Sequence, residues 1–354
     1  MRVSTVMPVA DWAAIPAAAA QAEADGYDAV QSNELKHDPF IPLAFAALAT
    51  KRVQLATSVA ISFPRSPMIV ANLAFDLHRH SQGRYVVGLG TQVKPHIERR
   101  FSSVWSHPAA RMAEYVQALR AIFQCWENGA PLKFEGEHYR FTLMTPEFSP
   151  PPTGLPIPPI AIAAVGPYML KTAARHCDSV RLHGFATRDY LEKVVLAQLE
   201  PELAAAGRSW ENFEVTGGGF IATGPNEEEV KKQLEKVRYR VAFYGSTPAY
   251  FGVFEQHGLH DLGPKLRAAT REGAWDKMAA MVPDDVLDLF VARGTYDELP
   301  AALEKRFGGV VDTVALEFLP TDSAETRQRV IKAVQAIPGR FRGFKTGPGR
   351  AQAA

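Results

Sequence analysis

The residues best suited to chemistry in this chain stand just past short apolar runs. Glu34 follows one such run, Ser58 and Val59 end the next, Thr91 and Gln92 follow a third, and His183 ends a later one. A carboxylate and an imidazole can each carry a proton, and burial or a neighbouring charge sets the pH at which they do so. Between them lies Ala164, Val165, Gly166, Pro167, where a glycine lets the backbone approach a ligand and a proline opens a helix. Free N–H groups and the positive dipole end at such a helix start make a phosphate seat. An ordinary strand-to-helix turn explains Gly166 and Pro167 equally well. A rim salt bridge explains Glu34, and a hydrogen-bonded wall position explains His183.

Strand ends become a site only if the strands are parallel, and the chain reads that way. Residues 53–90 give the unit most clearly: an apolar strand, a helix with Ile69, Val70, Leu73, Ala74 and Leu77 on one face, and a second apolar strand closing on Gly88, Gly90 and Thr91. Similar strands are predicted at residues 2–7, 27–33, 53–59, 84–90, 159–165, 178–184, 213–221 and 310–318, alternating with helices. Eight such units predict an α/β fold, a (β/α)8 TIM barrel, with ligands at the carboxyl ends of the strands. A stripe of Met112, Tyr115, Val116, Leu119, Ile122, Phe123 and Trp126 predicts a core-packed helix over residues 109–127. Asn226 with Glu229 predicts a capped helix start, with Glu227 and Glu228 pairing to Lys231 and Lys232.

Two segments interrupt the alternation. Residues 128–159 hold a strand pair around FEGEHYRF and then seven prolines between Pro146 and Pro159, which predicts an excursion over the barrel mouth. Residues 240–305 read as several helices rich in glycine and aromatics, between the seventh and eighth strands. Both could wall a substrate pocket. The expected organisation is one domain over residues 1–336 and a partly disordered tail over 337–354.

Composition and motifs narrow the chemistry further. With 354 residues, 47% of them hydrophobic, the chain can bury a barrel-sized core. A net charge of +1 argues against a nucleic-acid surface. There is neither an apolar run of about 18 residues nor a signal peptide ahead of the first strand, so no membrane is expected and a cytoplasmic location is. Cys125 and Cys177 lack Cys-x-x-Cys spacing and read as reduced packing residues. Gly88 and Gly90 begin a G-x-G whose third glycine position is Val93, so the dinucleotide fingerprint fails. There is no Walker sequence and no G-x-S-x-G elbow. His78 and His80 point to different sides of a helix, and His37 with Asp38 has no second cluster nearby, so no metal is expected. Lys94 and Lys171 read as surface residues.

Taken together, GYDAVQSNE at residues 26–34, TSV at 57–59, GRYVVGLGT at 83–91, FEGEHY at 134–139 and PPIAIAAVGP at 158–167 resemble the bacterial luciferase-like superfamily over roughly residues 1–320. Within it the chain is more similar to the branch that uses the deazaflavin coenzyme F420 than to the FMN-dependent monooxygenases. The resemblance implies a non-proline cis peptide between Ser58 and Val59 in a bulge supporting the cofactor ring. It places Thr91 and Gln92 in the surrounding wall, and Ala164, Val165, Gly166 and Pro167 at the cofactor phosphate. It implies hydride transfer between F420 and a small-molecule substrate, and a homodimer pairing through the apolar face of residues 67–79.

One departure matters. Sugar-phosphate dehydrogenases of this branch carry an Asp-His pair after the second strand and an acid after the fourth, where this chain has Glu34-Leu35 and Val93. Their histidine proton carrier is therefore absent, and glucose 6-phosphate is not the expected substrate. Glu34 and His183 remain the candidate catalytic residues, with His37 and His96 as other possible carriers. Three activities stay open: an F420-dependent oxidoreductase, an FMN-dependent luciferase-like monooxygenase, and a non-catalytic flavin-binding barrel.

Overall fold

Each expected barrel strand forms, shortened at its ends, in the computed structural model, which describes residues 1–345. In chain order the strands are Arg2–Val6, Ala29–Ser32, Gln54–Thr57, Tyr85–Gly90, Ile160–Ala164, Ser179–Leu182, Glu214–Gly217 and Thr313–Ala315. All neighbours are parallel, and the sheet closes where Leu55 pairs with Tyr85 and Arg2 with Thr313. Parallel pairing requires a crossover after each strand, and right-handed crossovers cover the barrel with helices. The result is a (β/α)8 TIM barrel.

Local chemistry sets the helix ends. The helix Pro67–His80 starts at Ser66, whose hydroxyl accepts from the Met68 N–H at 3.3 Å, with Pro67 in the first turn. The helix Pro108–Asn128 buries every member of its predicted stripe and ends at Gly129 in the left-handed conformation. Asn226 caps the helix Glu227–Gly245 by accepting from Glu229 N–H at 3.0 Å, and Glu228 pairs with Lys232 at 2.9 Å. Both cysteines are free, and burial pushes the Cys177 thiol up to about 12. Lys94 and Lys171 are exposed, as expected.

Three expectations need correction. The predicted seventh strand, residues 213–221, is two strands: Glu214–Gly217 in the barrel and Phe220–Gly224 outside it. The break falls at Gly217 and Gly218, both with φ near +90°, and a Cβ on Gly217 would stand 2.6 Å from the Leu182 carbonyl oxygen. The region read as helices alone contains a strand, Val291–Thr295, which pairs in parallel with Phe220–Gly224. That pair and its helices carry a core of their own, including Phe220, Leu234, Val241, Phe254, Leu287 and Phe290.

The third correction concerns the proline-rich stretch. The strand pair Phe134–Glu135 and Arg140–Phe141 forms as read. The prolines that follow do not cross the mouth but run down the outside of the barrel. Glu127, at the far end of its helix, accepts from the Thr153 and Gly154 N–H groups at 2.8 and 2.6 Å, and the Pro156 carbonyl meets His78 Nε2 at 2.8 Å. A fifth strand parallel to the others must begin at the base, and an extended proline segment spans that height.

At the base, Asp312 accepts from the Arg340 and Phe341 N–H groups at 3.1 and 3.0 Å, and Phe344 packs on Ala56, Val86 and Ala161. Residues 346–354 of the expected tail lie outside the described residues. Among the described residues no helix is long and apolar enough to cross a membrane.

The third and fourth strands approach so closely that a Cβ on Gly88 would lie 1.8 Å from the Thr57 carbonyl oxygen. Gly88→Ala should therefore lower unfolding stability by at least about 2 kcal/mol, read by urea titration; stability within about 0.5 kcal/mol of the parent would refute this contact.

Candidate active site

The carboxyl ends of the barrel strands meet at one mouth, and its geometry starts from the third strand. Thr57 clamps the fourth strand: its hydroxyl accepts from Gly88 N–H at 2.8 Å and donates to the Gly88 carbonyl at 2.7 Å. The chain then leaves the strand at Ser58 and Val59, joined by a cis peptide bond, and resumes pairing at Ala60–Ile61. Val59 lies against Gly90, where a Cβ would stand 2.6 Å from Val59 Cγ2. The bulge expected at Ser58 and Val59 is present.

Glu34 braces that bulge. Its Oε2 accepts from Ile61 N–H at 2.6 Å and from Arg65 Nη1 at 2.7 Å, with the carboxylate side chain only 7% exposed. Arg65 also donates to the Ile61 carbonyl and reaches Asp38 at 3.3 Å. Burial alone would lower the Arg65 pKa, but Glu34 and Asp38 more than offset it, so the guanidinium stays charged. Through Oε2 the carboxylate holds the loop, while its other oxygen makes no hydrogen bond among the described residues.

Thr91 and Gln92 follow the fourth strand, half-buried. Gln92 takes a left-handed conformation, φ +59°, and its Oε1 accepts from Val93 N–H at 2.9 Å. Such a conformation in a residue other than glycine is held by its surroundings and recurs beside ligand sites.

The fifth and sixth strands build the other side. Gly166, φ +79°, precedes the helix Pro167–His176, and space is open where its Cβ would point. Ala164, Val165 and Gly166 share one cleft with His183, Tyr190 and Tyr250, while Pro167 is exposed at the helix start. The His183 ring stacks on Tyr250 at 4.7 Å and meets Tyr244 edge-on at 4.3 Å. His183 Nδ1 accepts from Phe185 N–H at 3.0 Å, so the neutral ring carries its proton on Nε2. Burial pushes the His183 pKa down to about 4. At neutral pH His183 is thus a hydrogen-bond donor, with its one lone-pair nitrogen already engaged.

The structure also supplies residues the sequence reading passed over. Arg65 is one. Arg181 is another, buried inside the barrel with Nε and Nη1 unpartnered and its pKa lowered by burial, against the pull of Glu214. An arginine inside the four-residue run SVRL was the available signal. A cleft of about 450 Å³ opens at the ends of the seventh and eighth strands, faced by Gln233, Lys236 and Arg240 of the helix Glu227–Gly245. His37 and His96 are exposed.

His183 gives a pH test. The unfolded imidazole binds a proton near its ordinary 6.5 while the folded one resists until about 4, so its contribution is fully present above pH 6.5 and is lost as pH falls towards 4. Relative to His183→Phe, the native chain should lose up to about 3 kcal/mol more stability across that window, measured by urea unfolding at pH 7 and 4.5. Parallel losses would refute the depressed pKa.

The comparisons with known proteins agree with this architecture. An uncharacterized protein of Mycobacterium tuberculosis is 43% identical over 318 residues, covering 90% of this chain and 92% of that protein. The 5,10-methylenetetrahydromethanopterin reductase of Archaeoglobus fulgidus is 28% identical over 300 residues, covering 82% and 85%. The solved coenzyme F420 dependent tetrahydromethanopterin reductase from Methanopyrus kandleri superposes with a TM-score of 0.72 at 19% identity, covering 95% of this chain and 97% of that one. The luciferase-like monooxygenase model matches residues 2–313, and the chain belongs to that family of oxidoreductases.

Proposed function

We propose that this protein is an F420-dependent oxidoreductase, acting in the cytoplasm, that reduces or oxidises a C=C, C=N or carbinol group of a small organic molecule. The observation that carries the reading is the pairing, in one mouth, of a backbone bulge on the third strand with an open helix start on the fifth. The fourth strand alone separates them, two strand spacings or about 10 Å, a span suited to a planar ring with a phosphate-bearing arm. The likeness to a putative coenzyme F420-dependent oxidoreductase of Mycobacterium tuberculosis, 28% identical over 301 residues, supports the same choice.

The residues present fit such a group. Val59 against Gly90 offers an apolar backing, and Gly166 leaves open space beside the first N–H groups of the helix Pro167–His176. These N–H groups have no intrahelical acceptor and would hold a phosphate. When bound, F420 would supply a two-electron hydride carrier at its C5 position. Glu34 and Arg65 hold the loop behind the ring, which makes Glu34 a positioning residue. His183 directs its Nε2–H toward a substrate oxygen or nitrogen and polarises it as a neutral donor. Tyr244, Tyr250 and Phe185 exclude water on that side.

The cofactor choice is tested by titrating the purified chain with F420 and, separately, FMN while following tryptophan fluorescence. Micromolar F420 binding without an FMN response is expected. FMN binding alone would overturn the reading in favour of the monooxygenase. Binding of F420 without oxidation of its reduced form by any ketone, imine or enone in a panel would favour the non-catalytic barrel.

We also propose a homodimer. Leu48 is 74% and Ile69 54% exposed, and with Ile41, Phe45 and Leu73 they make an apolar face across the helices Ile41–Ala49 and Pro67–His80. Light scattering should give twice the chain mass, and Leu48→Glu with Leu73→Glu should halve it. A monomeric parent chain would refute the dimer.

A further inference from the structure

One group of side chains lies apart from the bulge, the helix start and the cleft. His107, Glu137 and His138 each present a ligand atom within 4.8 Å of the other two, the one such convergence among the described residues. His107 stands just before the helix Pro108–Asn128 without a side-chain capping bond, and Glu137 and His138 lie in the turn of the strand pair from the first insertion. The two imidazole rings stand 6.3 Å apart.

The same helix that carries His107 also fixes the turn. Glu114 accepts from the N–H groups of Glu137, His138 and Tyr139 at 3.0, 2.8 and 3.3 Å. Tyr139 is anchored in turn, its hydroxyl accepting from Arg111 Nε at 2.8 Å. The backbone under two of the three groups is therefore held before any ligand arrives.

The donor atoms themselves are unused. Among the described residues, neither the two rings nor the Glu137 carboxylate takes part in a hydrogen bond or ion pair. His138 Nε2 is shut off from solvent with no partner. An unpartnered polar atom of that kind signals a missing water or ion. The positive end of the helix dipole, roughly half a charge, works against a cation here. The carboxylates of Glu137 and Glu114 outweigh it.

We infer that His107, Glu137 and His138 bind a zinc ion. Two imidazoles and one carboxylate are a zinc donor set, with water completing the tetrahedron, whereas calcium and magnesium want oxygen ligands throughout. Bonds near 2.0 Å put tetrahedral ligands about 3.3 Å apart, so binding draws the exposed His107 and Glu137 side chains inward. The ion ties the insertion's strand pair to the helix start at the rim of the mouth, beside Arg111 and Phe63.

The test is zinc titration of the EDTA-stripped full chain by calorimetry, with cobalt as a spectroscopic substitute. One saturable equivalent is expected, with a tetrahedral cobalt absorption and a raised Tm. His138→Ala and His107→Gln should each weaken affinity at least about tenfold, and Glu137→Gln should weaken it less. Each variant's metal-free Tm, unchanged from the parent, establishes that it folds. No saturable binding up to millimolar zinc, or undiminished affinity in the double histidine variant, would overturn the assignment.

Discussion

The mouth depends on one absent side chain. Because residue 88 is glycine, the Thr57 carbonyl sits where a Cβ would be, and the Thr57 hydroxyl grips both backbone groups of Gly88. The chain steps out at Ser58 and Val59, Val59 settles against Gly90, and Ile61 N–H arrives at Glu34. Arg65 then closes the loop back onto the same carboxylate. The bulge is thus over-determined by close packing on one side and a shielded ion pair on the other.

That use of Glu34 is one case of a wider habit. Glu23 accepts from the N–H groups of Lys51, Arg52 and Val53, Glu127 from Thr153 and Gly154, Asp178 from Ile160, and Asp312 from Val215 and Phe341. In each case a carboxylate satisfies loop or strand-start donors that a barrel leaves unpaired. Removing such an acid would strand several donors at once. Glu34 does the same at the mouth, where its Oε2 alone holds Ile61 N–H and Arg65.

The strand pattern was legible because each barrel strand is a short apolar run followed by a helix with a clear face, and periodicity reports burial directly. The strand Val291–Thr295 was not, since it follows the helix Asp284–Phe290 without a glycine or proline between them. The course of the prolines also escaped, because composition restricts conformation but not direction. For the site, Ser58, Val59 and the Gly166 turn stand out as strand ends, and the resemblance of ordered motifs implies their roles. Arg65 and Arg181 could not be found that way. Their significance lies in partners, or the lack of them, brought close only by the closed barrel.

The two sides of the mouth are built from different materials. The third, fourth and fifth strands offer backbone: a bulge, a left-handed Gln92 and an open helix start, shaped by Gly88, Gly90 and Gly166. Beside the fifth strand, His183 is set by Tyr244 and Tyr250, which belong to the insertion with its own core. On the proposed function, the aromatic wall around His183, packed on a unit with its own core, is where substrate preference would shift while the Thr57–Gly88 contact stays fixed.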